Sequence, residues 1–201
     1  MNSANPMDQP SPGLSAGDVR TFPRWNTVRT QDGRTHYEVQ TEILDEALRA
    51  QSLDRLLGLM RERQEAAVYL CGARLDNNHG LGSEELGALL SVMPEDGIKA
   101  GIPGYHPGST EVYVTFQGEV ILEVLEQGLV VTKTSNASHV VVLSPGQCHR
   151  VRDEPGRPAA SLIVKTNLRH RPDVVRCDCC GYFRDPQDCP LHQSWRSAAA
   201  Q

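Results

Sequence analysis

The stretch EVYVTFQGEVILEVL, residues 111–125, decides the fold. It holds two runs rich in β-branched and aromatic residues, at 111–116 and 120–125, which favour strands. Between them lies the pair Gln117-Gly118, a turn signal. Side chains alternate between the two faces of a strand, so Glu111 and Tyr113 are expected on the inward face. The stretch therefore predicts two consecutive β-strands with a tight connection.

Similar short runs continue on both sides of this stretch, and turns containing Gly or Pro separate them. Short strands at regular spacing are typical of an antiparallel sandwich or barrel. We place this mainly β domain at residues 65–168. The other candidate strands are 66–71, 89–93, 129–132, 140–143 and 160–165.

The N-terminal part of the chain has a different texture. Residues 1–22 are rich in Pro, Ser, Gly and Asn, a composition that predicts a disordered tail. Residues 23–64 are expected to contain a hairpin followed by helices. In the hairpin, β-forming residues at 25–30 and 35–39 flank the turn pair Asp32-Gly33.

Two helices are expected after the hairpin. Thr41 is the predicted N-cap of the first helix, and Ser52 is the predicted N-cap of the second. An apolar stripe at helical spacing is expected to pack both helices against the β domain. Its residues are Leu44, Ala47, Leu48, Leu53, Leu56, Leu57 and Met60.

Charge and composition exclude several classes of function. Lys and Arg total 20 against 25 Asp and Glu, a formal net charge of −5, which argues against binding to nucleic acid phosphates. No apolar run approaches the roughly 20 residues that span a bilayer, and the first residues lack the pattern of a signal peptide. We therefore expect a cytoplasmic protein that binds neither nucleic acid nor a membrane, with its six cysteines in a reducing compartment.

Two short motifs lie in the β domain. Four residues separate His106 from Glu111, and six separate Glu111 from Gly118. Later the chain reads PGQCH at residues 145–149, a turn leading into a strand. With these two motifs in order, the sequence resembles the cupin superfamily over residues 88–166. The resemblance implies a single cupin-type antiparallel β-barrel, the double-stranded β-helix.

The chain departs from the usual cupin pattern at two positions. The first His of the usual His-x-His pair would fall on Gly104, and the Asn that often ends the second motif would fall on Asp153. The ligands that remain are His106, Glu111 and His149. Two imidazoles and a carboxylate form the facial triad of non-haem Fe(II) oxygenases, and among cupins they resemble the arrangement of hydroxyanthranilate dioxygenases. Mn, Ni or Zn are alternative ions for this site.

The resemblance implies an enzyme that acts on a small carboxylated or aromatic molecule, with O₂ if it is a dioxygenase. A metal-dependent isomerase or lyase, and a non-enzymatic binding or sensing module, remain alternatives. Tyr113 shares the inward face with Glu111, and a substrate carboxylate could be received by Arg74, Lys99 or Lys165, of which Arg74 ranks first. Gln117 and Arg150 flank the motifs and are expected to face solvent.

The C-terminal residues 169–201 form a cysteine-rich tail. Cys177 and Cys180 give a Cys-x-x-Cys pair, and Cys189 and His192 give a Cys-x-x-His pair. Two such pairs can hold one tetrahedral ion, so a structural Zn or Fe site is expected here. Cys179 is the spare thiol, although it could replace either neighbour as a ligand.

The assembly expected from the resemblance is a homodimer. Cupin domains frequently pair through exposed strand edges, and the N-terminal hairpin could add strands to the sheet of a neighbouring copy.

Overall fold

The computed structural model describes residues 33–34, 36–63, 65, 67–71, 86–93, 103–152, 158–166, 175–176 and 186–199. Two helices come first, α1 (His36–Ala50) and α2 (Leu53–Glu62), and α3 (Pro190–Ala199) comes last, after a short 3-10 turn at Pro186–Asp188. Between them lie β1 (Ala67–Cys71), β2 (Leu86–Met93), β3 (Gly104–Tyr105), β4 (Glu111–Gln117), β5 (Val120–Glu126), β6 (Leu129–Ser135), β7 (Val141–Leu143), β8 (His149–Arg152), β9 (Ala159–Thr166) and β10 (Val175–Arg176).

The strands form two five-stranded antiparallel sheets. The first sheet has the order β1-β2-β9-β4-β7, and the second has the order β10-β3-β8-β5-β6. The expectation of a mainly β, antiparallel domain is confirmed. The expectation of a closed barrel is wrong for the described strands, because their hydrogen-bonded ladders make two separate sheets. The chain passes from one sheet to the other at Gly118, so β4 and β5 do not pair with each other.

The inner faces of the two sheets meet in one apolar core. The first sheet supplies Leu89, Tyr113 and Ile163, among others, and the second supplies Leu122 and Val124. Because side chains alternate along each strand, the residues between these core positions point outward. The functional side chains described below lie at one end of this inter-sheet layer.

Helices α1 and α2 cover the outer face of the first sheet on its β1-β2 side. Their buried side chains pack with outward-facing residues of the sheet, Val68, Leu90 and Val92. The packed helical residues are Val39, Ile43, Ala47, Leu57, Leu59 and Met60.

The helical stripe differs in part from the expected one. Helix α1 begins at His36, so residues 36–39 are helical and the prediction of a strand at 35–39 is wrong for them. Residue 41 lies inside α1 and is not its N-cap. The earlier start places Val39 and Ile43 in the core and leaves Leu48 exposed. The physical reason is that the spacing from Val39 to Ile43 and Ala47 continues the apolar stripe by one turn.

The second helix begins as predicted. Ser52 has an extended backbone, and its hydroxyl oxygen accepts a hydrogen bond from the Arg55 backbone N–H at 3.2 Å. The preceding residue, Gln51, has a positive φ of 50°, which breaks α1 from α2. The tail at 1–22 and the first hairpin segment at 25–30 lie outside the described residues. Within the described residues, no helix has the length and hydropathy to cross a membrane.

Candidate metal centre

Three side chains from the two cupin-like motifs converge between the sheets. Glu111 opens β4 in the first sheet, His149 opens β8 in the second, and His106 follows β3 directly. Their ligand atoms all lie within 4.8 Å of one another, and all three residues are buried. We call His106, Glu111 and His149 the triad. The structure thus brings together the three residues that the two sequence motifs singled out.

The geometry of the triad centres on one carboxylate oxygen. Glu111 Oε2 lies 3.3 Å from His106 Nε2 and 3.0 Å from His149 Nε2. This oxygen is buried and has no hydrogen-bond partner among the described residues. A buried oxygen without a partner is costly, and a cation between the oxygen and the two nitrogens would satisfy all three atoms. The donor set therefore fits a divalent metal ion.

Backbone contacts orient the His149 imidazole and join the two motifs. His149 Nδ1 lies 3.0 Å from the carbonyl oxygen of Gln147, which accepts only if Nδ1 carries the proton. That tautomer leaves the Nε2 lone pair directed at the centre, as metal-ligating histidines require. The carbonyl oxygen of His106 accepts a hydrogen bond from the Gly146 N–H at 2.8 Å. This bond joins the loop of the first motif to the turn of the second.

The charge of Glu111 is set by competing effects. Burial alone would raise the pKa of Glu111, but the positive charge of Lys165 holds the pKa well below its usual range. Glu111 is therefore a carboxylate at neutral pH, the form that binds metal.

Two further groups border the triad. Tyr113 is buried on the same face of β4, and burial, together with the charge and hydrogen bonding of Glu111, raises the pKa of Tyr113 well above its usual range. Lys165 lies opposite Glu111 in the register of β9 with β4. Its Nζ is 3.5 Å from Glu111 Oε1 and 3.3 Å from His106 Nε2. Of the three cations considered from sequence, Lys165 is the one that the described structure places at the centre.

The position at which the motif's first His would be expected has a clear place in the fold. Gly104 of β3 pairs directly with His149 of β8, so the residue that would carry the first His lies beside the triad and has no side chain. Among the described residues the triad could therefore offer three ligand atoms to an ion, and Gly104 offers none. Three ligands leave open positions on an octahedral ion.

Several expected site residues lie outside the described part of the chain. These are Arg74, Lys99, Asp153 and the thiols Cys177, Cys179 and Cys180. Their roles stay predictions.

The two described members of the expected tail site are both buried in the region of α3. Cys189, just before the helix, is fully buried, and His192 in its first turn is 3% exposed. Neither ring nitrogen of His192 has a hydrogen-bond partner among the described residues. A buried imidazole with both nitrogens unsatisfied is unusual.

The expectation that Arg150 faces solvent is wrong, whereas Gln117 is exposed as expected. Arg150 follows His149 and so points to the other side of β8, where it is buried. Its Nε donates to Glu123 Oε2 at 2.7 Å, and its Nη2 donates to Ser194 Oγ at 3.1 Å. Ser194 Oγ donates in turn to Glu123 Oε2 at 2.8 Å. Sequence offered no signal for this network, because Ser194 is 44 residues away from Arg150.

Solved structures similar to this chain include DMSP lyase DddQ from Ruegeria pomeroyi DSS-3, at 23% identity and a TM-score of 0.40, covering 50% of this chain and 46% of that one. Recombinant oxalate oxidase in complex with glycolate is 18% identical with a TM-score of 0.44, covering 55% of this chain and 54% of that one. An uncharacterized conserved protein with a double-stranded beta-helix domain from Klebsiella pneumoniae subsp. pneumoniae MGH 78578 is 15% identical with a TM-score of 0.35, covering 43% and 71%.

This chain thus spans about half the length of the first two of these proteins. No protein-family model matches the sequence, and no curated protein matches it.

Proposed function

We propose that this chain is a metal-dependent cupin-type enzyme, a non-haem Fe(II) dioxygenase acting on a small carboxylated or aromatic molecule. The observation that carries the proposal is the buried oxygen of Glu111, which His106 and His149 both approach through Nε2. Two imidazoles and one carboxylate with open positions are the donor set of non-haem Fe(II) oxygenases. Mn, Ni and Zn are the other divalent ions that these donors accept.

The side chains around the triad have separate tasks in such a reaction. When bound, the ion would supply Lewis acidity and open positions for substrate and O₂. The Gln147 carbonyl holds His149 in the tautomer that ligates through Nε2. Tyr113 keeps its proton at the phenolic oxygen because its pKa is raised, so it is a neutral hydrogen-bond donor beside Glu111. Burial of all three triad residues keeps bulk water away from the ligand atoms.

The metal site is tested by metal analysis of the full-length chain. We expect His106→Ala, His149→Ala and Glu111→Gln each to remove one ion per chain while the circular dichroism spectrum stays that of a β protein. His139→Ala is the matched control, because His139 is exposed in the connection between β6 and β7. Unchanged metal content in all three triad variants would remove the proposal of a metal enzyme.

A metal-dependent isomerase or lyase is the second candidate, because Tyr113 and Lys165 place two proton-bearing groups beside the triad. Oxygen-electrode measurements with aminophenol and catechol carboxylates separate the two reactions. Oxygen uptake that depends on the triad supports the dioxygenase, whereas turnover without oxygen uptake supports the isomerase or lyase. Binding of ligands without any turnover would indicate a ligand-binding or sensing module.

We also propose a structural Zn or Fe ion in the C-terminal tail, held by Cys177, Cys180, Cys189 and His192. The burial of Cys189 and the unsatisfied nitrogens of His192 support this proposal. Closed sites of this type order small segments that lack a core of their own. Reduced thiolate ligands suit the reducing cytoplasm, which is where we expect the protein to act.

The tail site is tested by the double variant Cys177→Ser, Cys180→Ser. We expect it to lose one ion and to become sensitive to proteases near the C-terminus, while the triad ion and most activity remain. Cys179→Ser is the control for the spare thiol and should keep both ions. A double variant that kept both ions would contradict the tail assignment.

A further inference from the structure

Lys165 belongs to the same rigid framework as the triad. It lies in β9 directly opposite Glu111 of β4, and its side chain is only 13% exposed. Its ammonium contacts Glu111 Oε1 and His106 Nε2 at 3.5 Å and 3.3 Å. The register of two central strands therefore holds a cation against two of the three metal-ligating side chains.

The charges that the described residues bring to this centre cancel before any ion is bound. Glu111 is negative and Lys165 positive, and imidazoles that ligate through nitrogen are neutral. A divalent ion would therefore leave two positive charges uncompensated. Because uncompensated charge in a buried place is strongly unfavourable, a ligand that brings negative charge is stabilised there and a neutral ligand is not.

We propose that the triad and Lys165 together form a site for a small organic anion, whose carboxylate is bound by Lys165 while the molecule faces the triad ion. This inference rests on the proposed function, because it requires an ion at the triad. The attraction of a carboxylate to the Lys165 ammonium adds to its attraction to the triad ion, because the ammonium lies beside two of the ligand atoms. Within the broader class of carboxylated or aromatic molecules, the site selects those with a carboxylate.

A purely structural role for Lys165 has different consequences. As a counter-ion of Glu111 alone, Lys165 would affect the stability of the chain and the position of the Glu111 side chain. Its replacement would then change the affinity for charged and neutral ligands by the same factor. The ratio of two affinities for matched ligands separates these roles, because it cancels general damage to the site.

The test uses the full-length chain loaded with Co²⁺, and the absorption of the triad ion is taken as the part of the visible spectrum that His149→Ala, loaded in the same way, lacks. The probes are 2-hydroxybenzoate and its neutral counterpart 2-hydroxybenzamide, which have nearly the same shape. We expect the wild-type chain to bind the carboxylate at least about tenfold more tightly than the amide, since hydrogen bonds to charged groups contribute about 1.5–3 kcal/mol.

In Lys165→Met this preference should shrink markedly, because only the ion's excess charge remains to favour the carboxylate, while Lys165→Arg retains most of it. Lys133→Met is the matched control, because Lys133 lies on β6 and pairs with Glu126; it should bind both probes as the wild type does. Metal content is measured for every variant.

Three results would overturn the inference. One is an unchanged preference for the carboxylate in a metal-loaded Lys165→Met variant. Another is equal affinity of the wild-type chain for the two probes. This result needs no variant, so it can be obtained even if Lys165→Met fails to fold. A wild-type chain that binds no Co²⁺ at the triad would overturn the proposed function itself, and the two failures are distinguished by the metal content.

Discussion

Gly118, at the end of the first cupin-like motif, occupies a space that admits no side chain. Its φ is +67°, and an added Cβ would lie 2.3 Å from the carbonyl oxygen of Pro158. Gly128 also has a positive φ, +79°, but an added Cβ there meets nothing within 4 Å. Both glycines thus have a positive φ, but only at Gly118 would an added Cβ meet a neighbouring atom.

Replacing each glycine by alanine separates these two effects. We expect Gly128→Ala to lower the free energy of unfolding by about 1 kcal/mol, the cost of a left-handed residue with a Cβ. Gly118→Ala should lower it by about 3 kcal/mol, because the clash with the Pro158 carbonyl adds an overpacking cost. Urea denaturation of both variants gives the comparison. If both variants lost the same free energy of unfolding, the close approach of Gly118 to the Pro158 carbonyl would not add a cost of its own.

The triad could be predicted from sequence because its residues stand next to turns, where short motifs have a regular spacing. His106 and His149 follow Gly- and Pro-containing loops, and Glu111 opens a strand of clear β composition. Lys165 could not be ranked above other cations, because its place depends on the register of β9 with β4. That register joins residues 54 positions apart in the chain, a relation that no local pattern contains.

The link between α3 and the second sheet is a small buried network of charge. Glu123 of β5 accepts from Arg150 of β8 and from Ser194 of α3, and Arg150 also donates to Ser194. Removing one partner of a buried ion pair leaves the other charge without compensation, which costs about 3–5 kcal/mol. This network therefore fixes the C-terminal helix on the strand that begins with His149 of the triad.

We expect Glu123→Gln to lower the free energy of unfolding at pH 7 by about 3 kcal/mol. Burial would raise the pKa of Glu123, but hydrogen bonds from Arg150 and Ser194 and the nearby positive charges lower it. A carboxyl group with a depressed pKa stabilises the fold fully above the unfolded pKa of about 4.3, and loses this contribution as pH falls through the folded pKa.

Urea denaturation as a function of pH checks this linkage. The difference between wild type and Glu123→Gln should be constant from pH 7 to about pH 5 and should shrink below about pH 4.3. Glu62→Gln is the control, because Glu62 is exposed in its ion pair with Arg55 and should cost less than about 1 kcal/mol. A difference that stayed constant down to low pH would contradict the charged network.

The elements themselves were predictable to different degrees. The strands around Gly118 follow from local composition, and so does the cap of α2 at Ser52, because both signals lie within a few residues. Residues 36–39 carry two conflicting signals. Tyr37 and Val39 favour a strand, whereas the spacing of Val39 from Ile43 and Ala47 favours a helix. Packing of Val39 against Val68 and Leu90 in one core decides for the helix, and this tertiary contact is not visible in the sequence.

At the scale of the whole molecule, the described residues cover only part of the outer face of the first sheet. Helices α1 and α2 pack on its β1-β2 side, whereas β4 and the edge strand β7 present apolar side chains to solvent. We call these residues the valine face: Val114, Phe116, Val140 and Val142, of which Val140 and Val142 are 54% and 52% exposed. Contiguous apolar patches that are exposed on the surface of a protein commonly mark sites of interaction with another molecule.

We propose that a second copy of the chain covers the valine face and gives a homodimer. The face is continuous with the one that α1 and α2 already bury, and a two-fold contact would pack the valine faces of two copies against each other. Light scattering should give the mass of a dimer for the wild type and of a monomer for Val142→Lys, with metal content unchanged. Leu129→Lys is the control, because Leu129 is 70% exposed but lies on the second sheet, and it should remain a dimer. A monomeric wild type, or a Val142→Lys variant that stays dimeric, would show that this face is not the interface.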